Sequence, residues 1–391
     1  MSEQKILIVD DEPFNLDYLE QELEDPAYQL ITAANGQDAL KKVKTESPDL
    51  ILLDIMMPVM DGYEVLSRLK ADAATRDIPV IVISANNDLQ SVVNGIKLGA
   101  EDYLPKPFEP TLLHARISSS LEKKRLRDLQ QLYLKSLERE LDIAREIQQG
   151  FLPAELPKVN GWEIAAYFRA AREVAGDFYD AFLLPDGNLV CVIGDVCGKG
   201  VGAALFMTLF RSLIRVTSTT DYFSKTGDRK TLAPDERLKH AVAFTNNYIA
   251  ETHGDANMFA TIFIGMFSIE EGMLSYINCG NEPPLLIRNR GGIVSLPPTG
   301  PVVGVISNAD FSVKEVSMKK DDQLLVFTDG VPDALNADND SFGHDRLLSS
   351  LKTGDSTAAD LLESIEENLN QFMGTADQFD DITLLAIKRG I

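Results

Sequence analysis

The stretch that organises this chain reads PTLLHARISSSLEKKRLRDLQQLYLKSLERELDIAREIQQGFLP and runs from Pro110 to Pro153. No proline interrupts it and its only glycine is Gly150, so it predicts one long helix. Apolar residues recur at helical spacing along a seam of Leu121, Leu126, Leu129, Tyr133, Leu137, Leu141, Ala144, Ile147 and Phe151. Such a helix reaches roughly 60 Å, more than one domain needs to cover its core. We predict a parallel coiled-coil linker over residues 123–152 that dimerises the chain through residues 111–152.

The alternative is an ordinary interdomain helix that continues the last helix of the first domain, because the heptad drifts and Gln130, Gln131 and Gln148 interrupt the apolar seam. Composition describes a globular protein with an acidic surface: the 391 residues are 45% hydrophobic and carry a formal net charge of −23. This length predicts about two to three domains. The negative charge would repel a phosphate backbone, which argues against nucleic acid as a partner and favours divalent cations.

The location of the protein is predicted from what its sequence lacks. The N-terminal residues MSEQKILIVDDEP contain no basic-then-apolar leader, and no apolar run approaches the length of a membrane span. Cys191, Cys197 and Cys279 lack metal-ligand spacing, and their odd number argues against a disulfide framework. We therefore expect a cytoplasmic protein without a membrane span.

The first part of the chain alternates short apolar runs with helical periodicity. Predicted strands lie near residues 5–9, 29–33, 50–53, 80–83 and 102–104. Predicted helices lie over residues 13–24, 36–46, 62–71 and 88–98. Strands that alternate with helices in this way predict a doubly wound parallel α/β sheet, the flavodoxin-like fold, over residues 1–122.

Residues suited to phosphoryl chemistry follow these predicted strands. Asp10 and Asp11 follow the first strand, Asp54 the third, Ser84 the fourth and Lys106 the fifth. The carboxyl ends of parallel strands meet at one edge of a sheet, where three carboxylates would repel one another unless Mg²⁺ lay among them. With Mg²⁺ bound, Asp54 could attack a phosphoryl group whose oxygens Lys106 and Ser84 would hold. The alternative is a set of acids that merely cap strands at a solvated edge.

These residues resemble the receiver domain of two-component response regulators. The similarity lies in Val9-Asp10-Asp11-Glu12, DIMMPVMDG from Asp54 to Gly62, Ser84-Ala85 and Lys106-Pro107-Phe108. The resemblance implies that Asp54 accepts a phosphoryl group from a sensor histidine kinase or a phosphotransfer protein. It implies that Mg²⁺ is held by Asp10, Asp11, Asp54 and the Met56 carbonyl. It also implies a switch formed by Ser84, Tyr103 and Lys106, and a cis peptide between Lys106 and Pro107.

After Pro153 strand-like alternation dominates. Predicted strands cover residues 162–168, 178–184, 188–193, 259–267, 273–278, 285–288, 323–328 and 382–388. One long helix follows Gly200, another runs from Pro234 to about His253, and two more precede the last strand. A polar stretch over residues 219–233 predicts a loop. Helices grouped between antiparallel hairpins predict an α+β layered fold over residues 153–391.

Acidic residues again mark the ends of these strands, and most lie beside glycine. They are Asp177 after Gly176, Asp195 after Gly194, Asp329 before Gly330, and the pair Asp380-Asp381. Glycine lets a carboxylate approach a metal closely, and grouped acids without basic partners require cations. Two paired metals would activate a water for in-line attack on phosphorus. No serine–histidine or cysteine–histidine pair competes as a nucleophile.

Four runs carry a second resemblance, to the PPM (PP2C-like) serine/threonine phosphatases of the SpoIIE-type bacterial branch. They are RAAREVAGDFYD from Arg169 to Asp180, GDVCGKGVGAALFM from Gly194 to Met207, FTDGV from Phe327 to Val331 and DDIT from Asp380 to Thr383. The resemblance implies a β-sandwich flanked by helices that binds two Mn²⁺ or Mg²⁺ ions. Asp195 would bridge the ions, Asp177 and the Val196 carbonyl would hold one, and Asp329 and Asp380 the other. Asp381 is a further candidate ligand.

The same resemblance implies a substrate, namely a phosphorylated anti-sigma-factor antagonist or a similar phosphoprotein. Arg169 is a candidate contact for the substrate phosphate, and Lys199 is either a substrate contact or a surface charge.

The chain departs from the family pattern at Ala170, Ala175, Asn281 and Asp333. None of these four is an implied metal ligand, so we expect an active phosphatase controlled by the receiver. The alternative is a catalytically weak or inactive phosphatase-like adaptor that binds a sigma-factor regulator. The acidic charge and the lack of a basic recognition helix exclude a DNA-binding regulator.

Overall fold

The computed structural model describes residues 3–85, 89–219, 222–223, 229–230, 232–351 and 356–390. The chain divides into two compact units, Met1–Leu137 and Glu138–Ile391. The long helix predicted at the outset is continuous from Pro110 to Gln149 and contributes to both units.

The first unit contains one parallel sheet. Its strands are β1 (Gln4–Val9), β2 (Tyr28–Ala33), β3 (Leu50–Asp54), β4 (Val80–Ser84) and β5 (Asp102–Pro105). Its helices are α1 (Pro13–Glu22), α2 (Gly36–Glu46), α3 (Gly62–Ala71), α4 (Leu89–Lys97) and the first part of α5 (Pro110–Gln149). The strands are ordered β2-β1-β3-β4-β5, and every pair is parallel. The predicted doubly wound α/β fold is confirmed.

Helices cover both faces of this sheet, because alternate residues of each strand point to opposite faces. In β3, Ile51 and Leu53 pack into one core and Leu50 and Leu52 into the other. The second core includes three residues from the first turns of α5, namely Leu113, Ile117 and Leu121. Leu121 therefore belongs to the core of this unit and not to the exposed seam in which the sequence pattern placed it.

Beyond Leu121 the apolar seam of α5 is mostly uncovered. Leu126, Leu129, Tyr133 and Ile147 are between 57% and 64% exposed. The long helix is thus observed, and its apolar stripe faces solvent within this chain. A second helix packed on that stripe remains a prediction.

The second unit contains twelve strands and four helices besides the end of α5, among the residues that the structure describes. The strands are β6 (Trp162–Arg169), β7 (Phe178–Leu183), β8 (Leu189–Val196), β9 (Tyr222–Phe223), β10 (Arg229–Lys230), β11 (Ala260–Ser268), β12 (Met273–Cys279), β13 (Leu285–Ile287), β14 (Ile293–Ser295), β15 (Lys314–Ser317), β16 (Gln323–Phe327) and β17 (Ile382–Arg389). The helices are α6 (Val201–Thr219), α7 (Pro234–Thr252), α8 (Gly343–Ser350) and α9 (Ala358–Met373). A 3₁₀ turn, Gly254–Ala256, follows α7.

The larger strands form two antiparallel five-stranded sheets, ordered β15-β12-β11-β8-β7 and β14-β13-β16-β17-β6. Their facing sides share one core, while α6 and α7 cover the first sheet and α8 and α9 the second. Strand β8 shows why: Leu189, Cys191 and Ile193 point between the sheets, and Val190 and Val192 point to the helices. The predicted β-sandwich flanked by helices is confirmed.

The structure differs from the prediction between α6 and α7, and at two edge strands. Residues 220–221, 224–228 and 231 of the predicted 219–233 loop lie outside the described residues. The described part contains the short hairpin β9–β10 rather than loop alone. Strands β14 and β15 were not predicted, because most of their residues are exposed and show no apolar alternation.

Within the described ranges, α6 alone has the length and composition of a membrane span, with a mean hydropathy of 1.3. The sequence prediction had found no run of that kind. About two fifths of the helix is buried inside the unit, where Met207 and Phe210 join the core under the first sheet. Arg211 and Arg215 lie 2.9 and 2.7 Å from the Asp180 carboxylate. These contacts are those of a core helix.

Candidate functional site

The first site lies at the carboxyl edge of the parallel sheet. The pairing of Val9 with Leu53 places Asp10, the residue after β1, beside Asp54 at the end of β3. Lys106 follows β5, and its Nζ lies 2.7 Å from Asp10 Oδ2 and 2.7 Å from Asp54 Oδ1. The structure therefore brings together the acidic and basic residues that the strand ends predicted.

The charges of this site depend on burial. Burial raises the pKa of Asp54 above its ordinary value, although hydrogen bonds from Lys106 oppose the shift. Burial alone would lower the pKa of Lys106, but its bonds to Asp10 and Asp54 outweigh that effect and raise it. Asp54 and Lys106 thus form a partly desolvated ion pair.

The other predicted receiver residues lie on β4 and β5 and in the loops after β1 and β3. The Met56 amide donates to Asp54 Oδ2 at 2.7 Å, and Asp11 is half-buried in the loop after β1. Ser84 ends β4 with its side chain buried, and its carbonyl accepts from the Lys106 amide at 2.9 Å. Tyr103 lies half-buried on β5, and the peptide between Lys106 and Pro107 is cis, as the resemblance implied.

The second site lies where the ends of the two antiparallel sheets meet. Asp177 precedes β7 and Asp195 lies near the end of β8, and the pairing of Phe178 with Gly194 brings them together. Asp329 follows β16 and Asp380 precedes β17, which are neighbours in the other sheet. The four aspartates predicted from separate motifs, 203 positions apart at the extremes, are gathered at one end of the sandwich.

Two threonines of the second sheet reach across to the first. Thr328 Oγ1 and Thr383 Oγ1 donate to Asp177 Oδ2 at 2.7 and 2.5 Å. Gly176 packs so closely that a Cβ there would lie 2.8 Å from the Val196 carbonyl oxygen. This close packing explains the glycine before Asp177 and fixes the position of the carboxylate.

The electrostatics confirm that the acids are neighbours. Burial, together with the charges of Asp329, Asp380 and Asp381, raises the pKa of Asp195 to about 7, although a hydrogen bond with Asp177 opposes the shift. Burial, followed by the charges of Asp195 and Asp381, raises the pKa of Asp177 well above its ordinary value. The pKa of Asp329 is raised by burial and then by Asp380, Asp333 and Glu282. Repulsion between buried carboxylates is the condition that a cation relieves.

The adjoining residues Asp380 and Asp381 have different partners. Asp381 accepts hydrogen bonds from the amides of Ala171 and Gly176 at 2.8 Å each, and from that of Asp177 at 3.4 Å. Asp380 is ion-paired with Lys199, whose Nζ lies 2.8 Å away. Asp381 thus holds the loop before β7. Of the two carboxylates, that of Asp380 forms an ion pair with a lysine among the contacts that the structure describes.

Arg169, the predicted phosphate contact, lies at the end of β6. Its Nε donates to Gln378 Oε1 at 2.5 Å and its terminal nitrogen to Asn370 Oδ1 at 2.8 Å. These bonds tie the guanidinium to α9 and to the loop before β17. Contact with a substrate phosphate stays a prediction.

The four departures from the family pattern lie near the predicted ligands. Ala175 is buried in the loop before Asp177, and Ala170 is half-buried after β6. Asn281 donates to the carbonyl oxygen of Phe327 at 3.1 Å, close to the start of the Asp329 loop. The Asp333 amide donates to the Asp329 carbonyl at 2.9 Å.

The donor set suits hard divalent cations. It consists of carboxylate oxygens and, at Val196, a backbone carbonyl, which are the ligands that Mg²⁺ and Mn²⁺ prefer. Among the residues that the structure describes, no three His, Cys, Asp or Glu side chains are drawn together as tightly as around a bound ion. The residues fit the predicted metals by their chemistry and their charge.

Sequence reasoning missed three residues of this region. Thr328 and Thr383 lay inside quoted motifs, where their hydroxyl groups could have signalled hydrogen bonds to a buried aspartate. Gln148 near the end of α5 looked like a polar break in the apolar seam. Its side chain is buried and bonds both backbone groups of Ala175.

Comparison with known families identifies both units. The family described as Stage II sporulation protein E (SpoIIE) matches residues 185–390, more than half of the chain. The chain belongs to the SpoIIE family. The response regulator receiver domain matches residues 6–118. This SpoIIE-family chain therefore joins a receiver domain of the response-regulator type to a SpoIIE domain.

Similar curated proteins match either unit. Protein IcfG of Synechocystis is 44% identical over 262 residues, which cover 64% of this chain and 41% of that protein. The Bacillus subtilis alkaline phosphatase synthesis transcriptional regulatory protein PhoP is 42% identical over 119 residues, 30% of this chain and 49% of PhoP. The chain spans half or less of the length of these relatives.

A solved structure supports the fold of the output domain. The SiaA-PP2C domain of Pseudomonas aeruginosa aligns with a TM-score of 0.53 at 20% identity. The alignment covers 66% of this chain and 98% of that domain. At this identity the likeness shows the fold alone.

Proposed function

We propose that this SpoIIE-family chain is a metal-dependent phosphoserine/phosphothreonine protein phosphatase that is controlled by phosphorylation of Asp54. One observation carries the proposal: Asp177, Asp195, Asp329 and Asp380 gather at one end of the sandwich, where burial and neighbouring carboxylates raise the pKa values of Asp177, Asp195 and Asp329. Such a cluster is costly unless cations balance it. Metal ions bound at the cluster would balance the repulsion between its carboxylates.

We assign the ligands as follows. Asp195 would contact both of two Mn²⁺ or Mg²⁺ ions, Asp177 and the Val196 carbonyl would hold one, and Asp329 and Asp380 would hold the other. The bonds of Asp381 to backbone amides support a role in holding the loop before Asp177, and so we propose it as an organiser of the site rather than a ligand. When bound, the ions would supply an activated water and stabilise charge on the phosphoryl oxygens.

The chain's own residues set the geometry of that chemistry. The hydroxyl groups of Thr328 and Thr383 both donate to the same carboxylate oxygen of Asp177. These two hydrogen bonds fix the orientation of the Asp177 side chain. Lys199 lies beside Asp380, where its ammonium group could contact an anionic substrate. The bonds of Arg169 to Gln378 and Asn370 would hold its guanidinium at the end of β6 as a further phosphate contact.

In the receiver domain we propose that Asp54 is the phosphoacceptor. A sensor histidine kinase or phosphotransfer protein would supply the phosphoryl group, and Asp10, Asp11, Asp54 and the Met56 carbonyl would hold Mg²⁺. Lys106, which contacts both Asp10 and Asp54, would hold a phosphoryl oxygen, with Ser84 and Tyr103 as the switch residues. Phosphorylation would exchange the Asp54–Lys106 ion pair for a phosphoryl–Lys106 contact.

The proposed organisation is a receiver domain over residues 1–122, a helical linker over 123–152 and a phosphatase domain over 153–391. The exposed seam of α5 supports a homodimer through residues 111–152, with the linker as a coiled coil. The proposed substrate is a phosphorylated anti-sigma-factor antagonist or similar phosphoprotein in the cytoplasm.

The proposal is tested by measuring phosphate release with Mn²⁺ or with EDTA. The substrates are a phosphoserine peptide and phosphorylated anti-sigma-factor antagonists. We expect release only with metal, and loss of several orders of magnitude in Asp195→Asn and Asp329→Asn. Asp255→Asn, an exposed acid after α7, is the matched control and should act like wild type. Release that survives both site substitutions would place the chemistry elsewhere. No release by wild type, together with tight binding of the phosphoprotein, would favour the adaptor.

A further inference from the structure

The end of α5 differs from the rest of the linker in one buried residue. Residues 122–149 are all described, and only Gln148 among them is buried, at 7% exposure. Its neighbours Ile147 and Gln149 are exposed. A buried glutamine in a solvated helix requires partners for its amide, since an unpaired buried amide is costly.

Those partners are the two backbone groups of one residue. Gln148 Nε2 donates to the Ala175 carbonyl at 2.8 Å, and Gln148 Oε1 accepts from the Ala175 amide at 2.9 Å. One turn earlier, Arg145 Nε donates to the Glu173 carbonyl at 2.8 Å. The last turn of α5 therefore binds the loop over residues 173–175 much as a neighbouring strand would.

This loop leads directly into Asp177. The next residue, Gly176, is held from the other side, because its amide donates to Asp381 and its carbonyl accepts from the Val196 amide at 3.4 Å. The backbone before Asp177 is thus fixed by Gln148 on one side and by Asp381 and β8 on the other. A shift of Ala175 would move the carboxylate of Asp177.

We propose that Gln148 is a positioning residue for Asp177, and that the affinity of the phosphatase site for its metal depends on the bonds between Gln148 and Ala175. The proposal rests on the function proposed above, in which Asp177 is a metal ligand. Without the Gln148 amide, both backbone groups of Ala175 lose their buried partner, and the loop rearranges to regain hydrogen bonds. Residues that orient a metal ligand in this way change metal affinity by about 10- to 100-fold.

The test is a calorimetric titration of the full chain with Mn²⁺, using variants of similar size. Gln148→Met keeps the length of the side chain but loses both hydrogen bonds, and Gln149→Met makes the same change at the exposed neighbour. Asp54→Asn is present throughout, so that Mn²⁺ binding at the receiver is reduced in every sample. We expect Mn²⁺ affinity about 10- to 100-fold lower in Gln148→Met and unchanged in Gln149→Met. Equal affinity in the two variants would overturn the proposal.

A second variant covers the case in which Gln148→Met fails to fold. In Gln148→Glu the carboxyl group can donate and accept only when protonated, so the ratio of its Mn²⁺ affinity to that of wild type should fall as pH rises. A ratio that stays constant between pH 5 and pH 8, on the order of one, would contradict the role of the bonds. Asp195→Asn separates the two claims. If Asp195→Asn binds Mn²⁺ as wild type does, both the proposed function and this inference fail. If Asp195→Asn does not bind Mn²⁺ in that way, the comparison between the Gln148 variants and their controls decides the inference.

Discussion

Thr383 Oγ1 on β17 lies 2.5 Å from Asp177 Oδ2 before β7, so a hydroxyl group of one sheet holds a carboxylate of the other. Thr328 donates to the same oxygen, and its Oγ1 accepts from the Thr383 amide at 3.2 Å. These bonds join the two sheets at the end of the sandwich where the acids gather. The position of Asp177 therefore depends on the packing of the whole domain.

Replacing Thr383 by valine should weaken metal binding without unfolding the domain, because valine has nearly the same shape. The substitution removes one hydrogen bond to a charged group, worth about 1.5–3 kcal/mol. Calorimetry should show about 10-fold weaker Mn²⁺ binding or worse. Thr208→Val, on the half-buried face of α6, is the matched control. Unchanged affinity in Thr383→Val would show that Asp177 does not need this bond.

Asp54 should be the single site of phosphorylation, because it faces Asp10 and Lys106 at the edge of the receiver sheet. Incubation with Mg²⁺ and radiolabelled acetyl phosphate should label wild type and leave Asp54→Asn unlabelled. Asp61→Asn serves as the control, since asparagine can replace Asp61 as the N-cap of α3. Equal labelling of wild type and Asp54→Asn would refute the assignment.

The metal-free phosphatase domain should lose stability as pH rises. Asp195 has its pKa raised from 3.8 to about 7 in the folded chain, so the folded state holds a proton that the unfolded state has released. Stability is thus fully present below pH 3.8 and is lost as pH rises through about 7. The slope is up to about 1.4 kcal/mol per pH unit for each such group.

Thermal unfolding in EDTA at several pH values measures this effect. Asp195→Asn should flatten the decline and melt at a higher temperature than wild type at pH 8, by an amount that shrinks towards pH 4. Asp255→Asn should follow wild type. A decline of equal steepness in Asp195→Asn and wild type would mean that repulsion at Asp195 is not its cause.

The exposed seam of α5 should dimerise the chain. Leu129 and Leu137 are 62% and 38% exposed, and burial against a partner helix stabilises by roughly 1.5–3 kcal/mol for each leucine. Leu129→Glu with Leu137→Glu should therefore give a monomer in light scattering, whereas Lys135→Glu should remain a dimer. A monomeric wild type at micromolar concentration, with or without phosphorylation, would contradict the model.

If that helix also transmits the signal, its phase should matter. Four residues inserted after Lys135 rotate the downstream half by about 40°, and seven nearly restore the phase. The response of phosphatase activity to acetyl phosphate should be altered by the first insertion and kept by the second. A response unaffected by either insertion would make the helix a simple tether.

Sequence patterns predicted the elements that are buried and regular. Strand β3 is buried along its whole length, so its apolar run stands out, and its bounds differ from the prediction by one residue. The edge strands β14 and β15 were missed because solvent covers most of their residues, and the pairing that makes them strands is not local.

The site could be predicted as a set of residues but not as a set of contacts. Asp380 and Asp381 are equivalent in sequence, and contacts with distant residues separate their roles. Asp381 accepts from the amide of Gly176, 205 positions away, whereas Asp380 pairs with Lys199. Gln148 looked like a break in a coiled-coil seam, because a polar residue in a helix usually faces water. Its burial depends on the fold of a loop that no local pattern describes.

The central claim is that Asp54 phosphorylation controls a metal-dependent phosphatase in the same chain. The most direct measurement is the rate of phosphoserine peptide hydrolysis with Mn²⁺, with and without acetyl phosphate, in wild type, Asp54→Asn and Asp195→Asn. We expect acetyl phosphate to change the rate of wild type and to leave the rate of Asp54→Asn unchanged, and we expect Asp195→Asn to be inactive throughout. An identical response to acetyl phosphate in wild type and Asp54→Asn, or no response in either, would contradict the central claim.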